Sequence, residues 1–202
     1  MKEFWDERYG KAEFAYGTAP NDFFKEWIDT QKPGTILFPC EGEGRNAVYA
    51  ATKGWNVFAF DYSKKGKEKA EQLAASLKVT IKYEVSDALY FKSEQKFDAI
   101  ILIFAHFPVD IRKNIHKRMS SMLNPGGTII LEAFNTRQIE NESGGPRTEE
   151  LLYTIKLLKD DFSELEVQLL ENKEIQLYEG RFHEGKADVV RLIAKKKPEF
   201  NK

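Results

Sequence analysis

Hydrophobic and polar positions alternate between two periods along this chain. Short apolar runs at Thr35–Pro39, Trp55–Phe60 and Val79–Val85 stop abruptly at glycine or polar residues, as strands do. Between them the spacing turns helical. A helix is expected over Gly44–Thr52, and a second begins after the N-cap Ser63, where Ala70, Leu73, Ala74 and Leu77 share one face. Phe97–Phe104 is a continuous apolar run, the mark of a central strand buried on both sides. After Pro108, Ile111, Ile115, Met119 and Met122 follow a helical stripe, with His116 expected on its charged, solvent-facing side. Asn124-Pro125-Gly126-Gly127 predicts a turn and Thr128–Phe134 a fifth strand.

The rhythm then changes. Asn135–Arg147 reads as a long polar loop and lid candidate, and a helix is expected from Thr148 to Lys159. Two long strand patterns, Glu164–Leu177 and Lys186–Lys195, are joined too closely for a helical crossover, so they predict an antiparallel pair. The sum is an α/β, Rossmann-like fold: a seven-stranded sheet, mostly parallel with a C-terminal antiparallel hairpin, and helices on both faces. The absence of repeats or low-complexity stretches suggests one domain over residues 1–202.

Candidate chemistry concentrates where the first strand ends. Ile36-Leu37-Phe38-Pro39-Cys40-Glu41-Gly42-Glu43-Gly44-Arg45-Asn46-Ala47 reads as strand, glycine turn and helix start, an arrangement that lets backbone approach an adenosine-type ligand. The next strand ends in Asp61, placed to accept hydrogen bonds from both ribose hydroxyls. Gly42 to Ala47 also fits the relaxed dinucleotide pattern, with Asp61 at about the usual distance of ~20 residues. An NAD-dependent oxidoreductase is therefore an alternative, although it would need a second mononucleotide-binding half.

Composition narrows the partners. Lysine and arginine number 31 against 32 acidic residues, a net charge of −1, which argues against nucleic acid. The single Cys40 excludes an intramolecular disulfide and any cysteine-rich metal site; no metal is expected. No secretory signal or membrane-length apolar stretch is evident, so a cytoplasmic protein without membrane contact is expected.

The layout resembles the class I S-adenosylmethionine-dependent methyltransferases. The glycine loop looks like their first motif and Asp61 like their ribose acid. Asp87-Ala88 resembles the adenine-contacting pair, and Leu123–Gly127 the approach to their fifth strand. More narrowly, Trp5-Asp6-Glu7-Arg8-Tyr9, Tyr16–Asn21, Glu179-Gly180-Arg181 and Val189-Val190-Arg191 resemble the small-molecule branch that holds tellurite-resistance and thiopurine-type methyltransferases. The resemblance implies S-adenosylmethionine as cofactor, held by Trp5, Tyr16, Cys40, Glu41, Gly42, Gly44, Asp61, Tyr62, Asp87, Ala88, Phe104 and Ala105, with residues 1–33 a helical segment over its pocket. Two positions depart from the pattern. Phe38 stands where an acid is usual, leaving Glu41 or backbone carbonyls to meet the cofactor's amino group. Cys40 stands where a glycine is usual, which is tolerable if its φ is negative.

For the reaction, His106, His183 and Arg181 are the candidate catalytic residues. His106 follows the fourth strand and is either a general base or a helix-capping group; His183 with Arg181 either lines the acceptor's access or forms a polar hairpin tip. Trp5, Tyr9 and Tyr16 either face the cationic cofactor or anchor the N-terminal segment. The expected activity is methyl transfer to a small molecule, a thiol or other soft nucleophile, since such a group needs little help from a base. A non-catalytic S-adenosylmethionine-binding module is the other alternative. Oligomeric state is not encoded in these patterns.

Overall fold

A computed structural model describes residues 2–198; Met1 and residues 199–202 of the expected domain lie outside the described residues. The chain runs α1 (Lys2–Tyr9), α2 (Asp22–Ile28), β1 (Thr35–Pro39), α3 (Arg45–Thr52), β2 (Asn56–Asp61), α4 (Lys64–Ser76), β3 (Lys82–Val85), β4 (Phe97–Ile103), α5 (Val109–Ser121), β5 (Leu123–Phe134), α6 (Ile155–Asp161), β6 (Glu166–Tyr178) and β7 (Glu184–Lys195), with short 3-10 turns at Thr136–Glu140 and Glu149–Leu151. The seven strands follow the order β3-β2-β1-β4-β5-β7-β6, parallel except where β7 pairs with β5 and β6. This is the expected Rossmann-like sheet with its antiparallel hairpin.

Two compact units divide the chain, Met1–Lys92 with Glu179–His183, and Ser93–Tyr178 with Glu184–Lys202. In the first, β1 pairs with β2 from Thr35↔Asn56 to Pro39↔Phe60, which brings the glycine loop and Asp61 to the same edge. Phe38 is fully buried and meets Phe24 edge-on at 5.4 Å, so this departure from the family pattern serves packing. Asn21 and Ser63 cap α2 and α4, accepting from the N–H groups of Phe24 and Gly66. β3 starts at Lys82, later than expected, because Val79 still donates to Ala74 O at the exit of α4.

In the second unit, β4 is buried along most of its length, and β5 continues β4's parallel register from Ala99↔Thr128 to Ile103↔Glu132. β5 begins before the expected turn, at Leu123, since the Gly126 N–H donates to Lys196 O and the Lys196 N–H to Gly127 O. The helix expected over Thr148–Lys159 is replaced by a 3-10 turn, an extended pair and α6. Leu152 and Tyr153 are both buried in extended backbone, where the Tyr153 N–H donates to Phe134 O and Tyr153 bridges Asn135. The polar loop is docked on β7: Gln138 donates to Ser143 Oγ, accepts from the Asp188 N–H, and Ser143 donates to Lys186 O.

Candidate active site

The loop after β1 is built on left-handed backbone. Gly42 and Gly44 have φ of 62° and 87°, and Cys40 has φ of 55°. The negative φ expected at Cys40 is therefore corrected: a side chain occupies a conformation that favours glycine, and strain of this kind gathers at ligand sites. Phe104, at the end of β4, is in the same region with φ of 52°. The glycines also admit something other than the anticipated ligand. A Cβ on Gly42 would lie 2.6 Å from Tyr9 Oη, and one on Gly44 2.5 Å from Ala70 Cβ, so the two positions let α1 and α4 close against the loop.

Glu41 turns back over the loop. Its Oε1 accepts the N–H groups of Asn46 (2.8 Å) and Ala47 (2.7 Å), replacing the side-chain cap that Gly44 cannot supply to α3. Asp61 is 6% exposed; Oδ2 accepts from the Gly42 N–H at 3.1 Å and Oδ1 from the Ser63 N–H at 2.9 Å. Burial pushes Glu41 up to about 7 and Asp61 up to about 6, because backbone N–H groups and the nearby Arg45 only partly offset the lost hydration. Neither carboxylate forms an ion pair with a lysine or arginine among the described residues. The Cys40 thiol is raised by burial and by Asp61, Asp87 and Glu41 around it.

Burial, reinforced by the nearby Asp87 carboxylate, raises the Tyr62 hydroxyl. Asp87 Oδ1 accepts the Leu89 N–H at 2.7 Å, and Ala88 is buried. On the N-terminal segment, Trp5 stacks on the buried Tyr9 at 5.4 Å, and Asp6 Oδ1 accepts from Ser63 Oγ at 2.5 Å. Tyr16 lies 4.4 Å from the His183 ring and accepts from Arg8 Nη1 at 2.7 Å.

The hairpin tip belongs to this unit and is not an ordinary polar turn. Glu179 accepts from Arg45 Nη2 (2.8 Å) and Asn21 Nδ2 (3.0 Å), and meets His183 Nδ1 at 3.2 Å. Against the upward push of burial, His183 and Arg45 bring Glu179 down to about 2, while burial lowers His183. Arg181 is exposed over the Phe182 ring. Arg8, Arg45 and Glu179 were not singled out from the sequence as site residues, although each falls in a stretch that carried the resemblance.

In the second unit, both nitrogens of His106 are engaged by backbone: Nδ1 faces Leu151 O at 2.7 Å and Nε2 accepts the Phe134 N–H at 3.3 Å. A carbonyl only accepts and an N–H only donates, so the ring is the neutral Nδ1–H tautomer. Free service as a base would require breaking one of these bonds. Phe104 stacks on Phe134 at 4.6 Å, and Ala105 O accepts from Tyr153 Oη at 3.1 Å. The surface position expected for His116 is corrected. It is fully buried, with Nδ1 2.8 Å from Asp161 Oδ2, which also receives Arg112 Nε at 2.8 Å. A cavity of about 560 Å3 opens beside Arg112, Thr136, Glu150, Leu152 and Asp161 and contains none of the anticipated site residues. No group of three metal-ligating side chains occurs among the described residues, and no helix among them is long and apolar enough to cross a membrane.

Comparison with known proteins places this geometry. Residues 36–127 match the family described as methyltransferase domain, the stretch that holds the glycine loop, Asp61, Asp87 and His106. That stretch is similar to a methyltransferase domain, and the sheet that carries it has a Rossmann-like methyltransferase fold. Among solved structures, one described under conversion of a disulfide bond into a thioacetal group during echinomycin biosynthesis aligns with a TM-score of 0.81 at 17% identity, covering 100% of this chain and 93% of its own. TehB from Haemophilus influenzae gives 0.73 at 17% identity, with 97% of this chain and 67% of that chain covered. The N-methyltransferase NodS from Bradyrhizobium japonicum WM9, in complex with S-adenosyl-L-homocysteine, gives 0.71 at 14% identity with 98% of each covered. At these identities the likeness is one of fold. No curated protein matches the sequence.

Proposed function

We propose that the protein transfers a methyl group from S-adenosylmethionine to a small soft nucleophile, a thiol or comparable heteroatom. The observation that carries the cofactor is the pairing of a half-buried carboxylate, Glu41, with a buried one, Asp61, neither paired with a lysine or arginine among the described residues. Carboxylates that are partly or wholly buried and held by backbone N–H groups alone suit a ligand that brings cationic and hydroxyl groups together. They do not suit a dinucleotide: its pyrophosphate would sit at the start of α3, where the Asn46 and Ala47 N–H groups are already taken by a carboxylate.

In this reading Asp61 holds the ribose, Tyr62, Asp87 and Ala88 flank the adenine, Glu41 receives the amino group, and residues up to 33 close the nucleoside side with Trp5 and Tyr16. S-adenosylmethionine supplies, when bound, an electrophilic methyl on a sulfonium with a neutral thioether as leaving group. The chain's task is to orient the acceptor and exclude water, an effect worth up to ~7–11 kcal/mol in favourable cases. The engagement of both His106 nitrogens supports an acceptor that is its own nucleophile near neutral pH.

Calorimetric titration with S-adenosylhomocysteine tests this, beside Asp61→Ala and an NAD control. Micromolar binding that Asp61→Ala weakens by about tenfold or more (~1.4 kcal/mol) is expected. Binding of NAD alone overturns the reading. Binding of the sulfur ligand with no turnover across a panel of thiols, selenols and amines leaves a binding module in place of an enzyme.

A further inference from the structure

Among the described residues Arg8 has no ion-pair partner. Its guanidinium lies 4.5 Å from the Phe4 ring centroid, 5.4 Å from that of Trp5 and 4.3 Å from that of Phe182, so three aromatic rings hold it in place. Nη1 donates to Tyr16 Oη; its other N–H groups have no hydrogen-bond partner among the described residues, and no carboxylate pairs with it. Clamping removes the rotational freedom that an exposed arginine would lose on binding, and leaves a fixed planar fork.

A second observation points the same way. Arg45 is buried, with 9% of its side chain exposed; Nη2 is spent on Glu179, but Nη1 is buried with no partner. Its charge is felt at both Tyr16 and His183. Nearby acids are already used. Glu179 is held by Arg45, Asn21 and His183, and Glu43 by Lys69 at 2.7 Å and the Ala15 N–H at 2.7 Å. Arg8 and the exposed Arg181 therefore give this corner of the first unit a surplus of positive charge beside aromatic faces, next to the glycine loop.

We infer that the methyl acceptor carries a carboxylate or comparable oxyanion, which the Arg8 fork and Tyr16 hydroxyl receive and the buried Arg45 charge reinforces. Arg8 is then a specificity-determining residue: it grips the acceptor's anionic end while the soft atom faces the methyl group. This rests on the methyltransferase reading above and adds the acceptor's charge to it.

The test compares two thiols that differ by one carboxylate, 2-mercaptobenzoate and thiophenol, titrated into the protein saturated with S-adenosylhomocysteine. The carboxylate-bearing thiol is expected to bind at least tenfold more tightly. Arg8→Met should erase that preference, Arg8→Lys should restore part of it, and S-adenosylhomocysteine affinity should stay within about twofold in both. A purely structural Arg8 would weaken both thiols alike in Arg8→Met, which refutes the inference. Equal binding of the two thiols to wild-type complex also refutes it, as does a preference that survives Arg8→Met. If neither thiol binds a complex that does hold S-adenosylhomocysteine, this inference fails alone. If the wild type does not bind S-adenosylhomocysteine, the methyltransferase reading fails and takes this one with it.

Discussion

Replacing Glu41 by glutamine keeps the oxygen that receives the Asn46 and Ala47 N–H groups and removes only the charge. The carboxylate sits at about 7 in the fold against an ordinary 4.5, so the folded state keeps a proton that the unfolded chain releases. Between those values a rise in pH favours unfolding, and the wild type loses stability through this group until it ionises in the fold. Each unit is worth ~1.4 kcal/mol, which puts the full effect near ~3 kcal/mol and about 2 after allowance for partial solvent contact. Glutamine has no such loss. Relative to wild type, Glu41→Gln should gain about 2–3 kcal/mol between roughly pH 5 and pH 8. Urea titrations at the two pH values measure it, a change of about 1 M in the difference between midpoints at unchanged slope. Glu41→Leu, which also strips the two N–H groups of their acceptor, should be destabilised at both pH values. A difference between Gln and Glu that does not change with pH would refute the assignment of a buried, unpaired carboxylate.

Asp61 predicts the opposite trend for ligand binding. With its carboxyl pushed up to about 6, affinity for S-adenosylhomocysteine should rise as pH passes upward through that value, and a flat calorimetric profile would count against an ionised ribose acceptor. Cys40→Gly should raise stability by ~1 kcal/mol by relieving the left-handed backbone, net of glycine's greater unfolded-state freedom, whereas Cys40→Ala should not; a differential scanning melt separates them. Asp161→Ala should cost ~3–5 kcal/mol, because it leaves Arg112 and the buried His116 without their shared acceptor, and a normal urea midpoint would contradict that account.

Elements whose signal is local were legible in the sequence. The Phe97–Phe104 run needs burial on both sides and found it in β4, and Ser63 caps α4 as its position before an amphipathic stretch implied. What escaped is set by distant partners. His116 is followed by Lys117 and Arg118, which advertise a surface, while the acid that holds it lies 45 residues away. The helix expected at Thr148 was overridden by a distant backbone partner: Tyr153 donates to Phe134 O and bridges Asn135. Within the candidate site, the glycine spacing and Asp61 fall on residues that the fold joins through the Gly42 N–H to Asp61 bond. The spacing did not disclose that Tyr9 and Ala70 take the room beside those glycines, or that Glu41 would cap α3. Backbone angle at Cys40 is likewise invisible in a residue name.

The Arg45–Glu179 ion pair joins residues 134 positions apart, and the Asn21–Glu179 bond spans 158. During synthesis at ~5–20 residues per second, the first unit therefore waits several seconds for a segment made almost last. Until that segment arrives, Arg45 Nη2 lacks the acceptor it has in the finished fold. The unit that carries the nucleoside loop consequently cannot mature on the ribosome ahead of the rest, and a fragment ending near Lys92 should resist refolding. The Arg45 corner of the first unit is therefore completed by one of the last segments to be made.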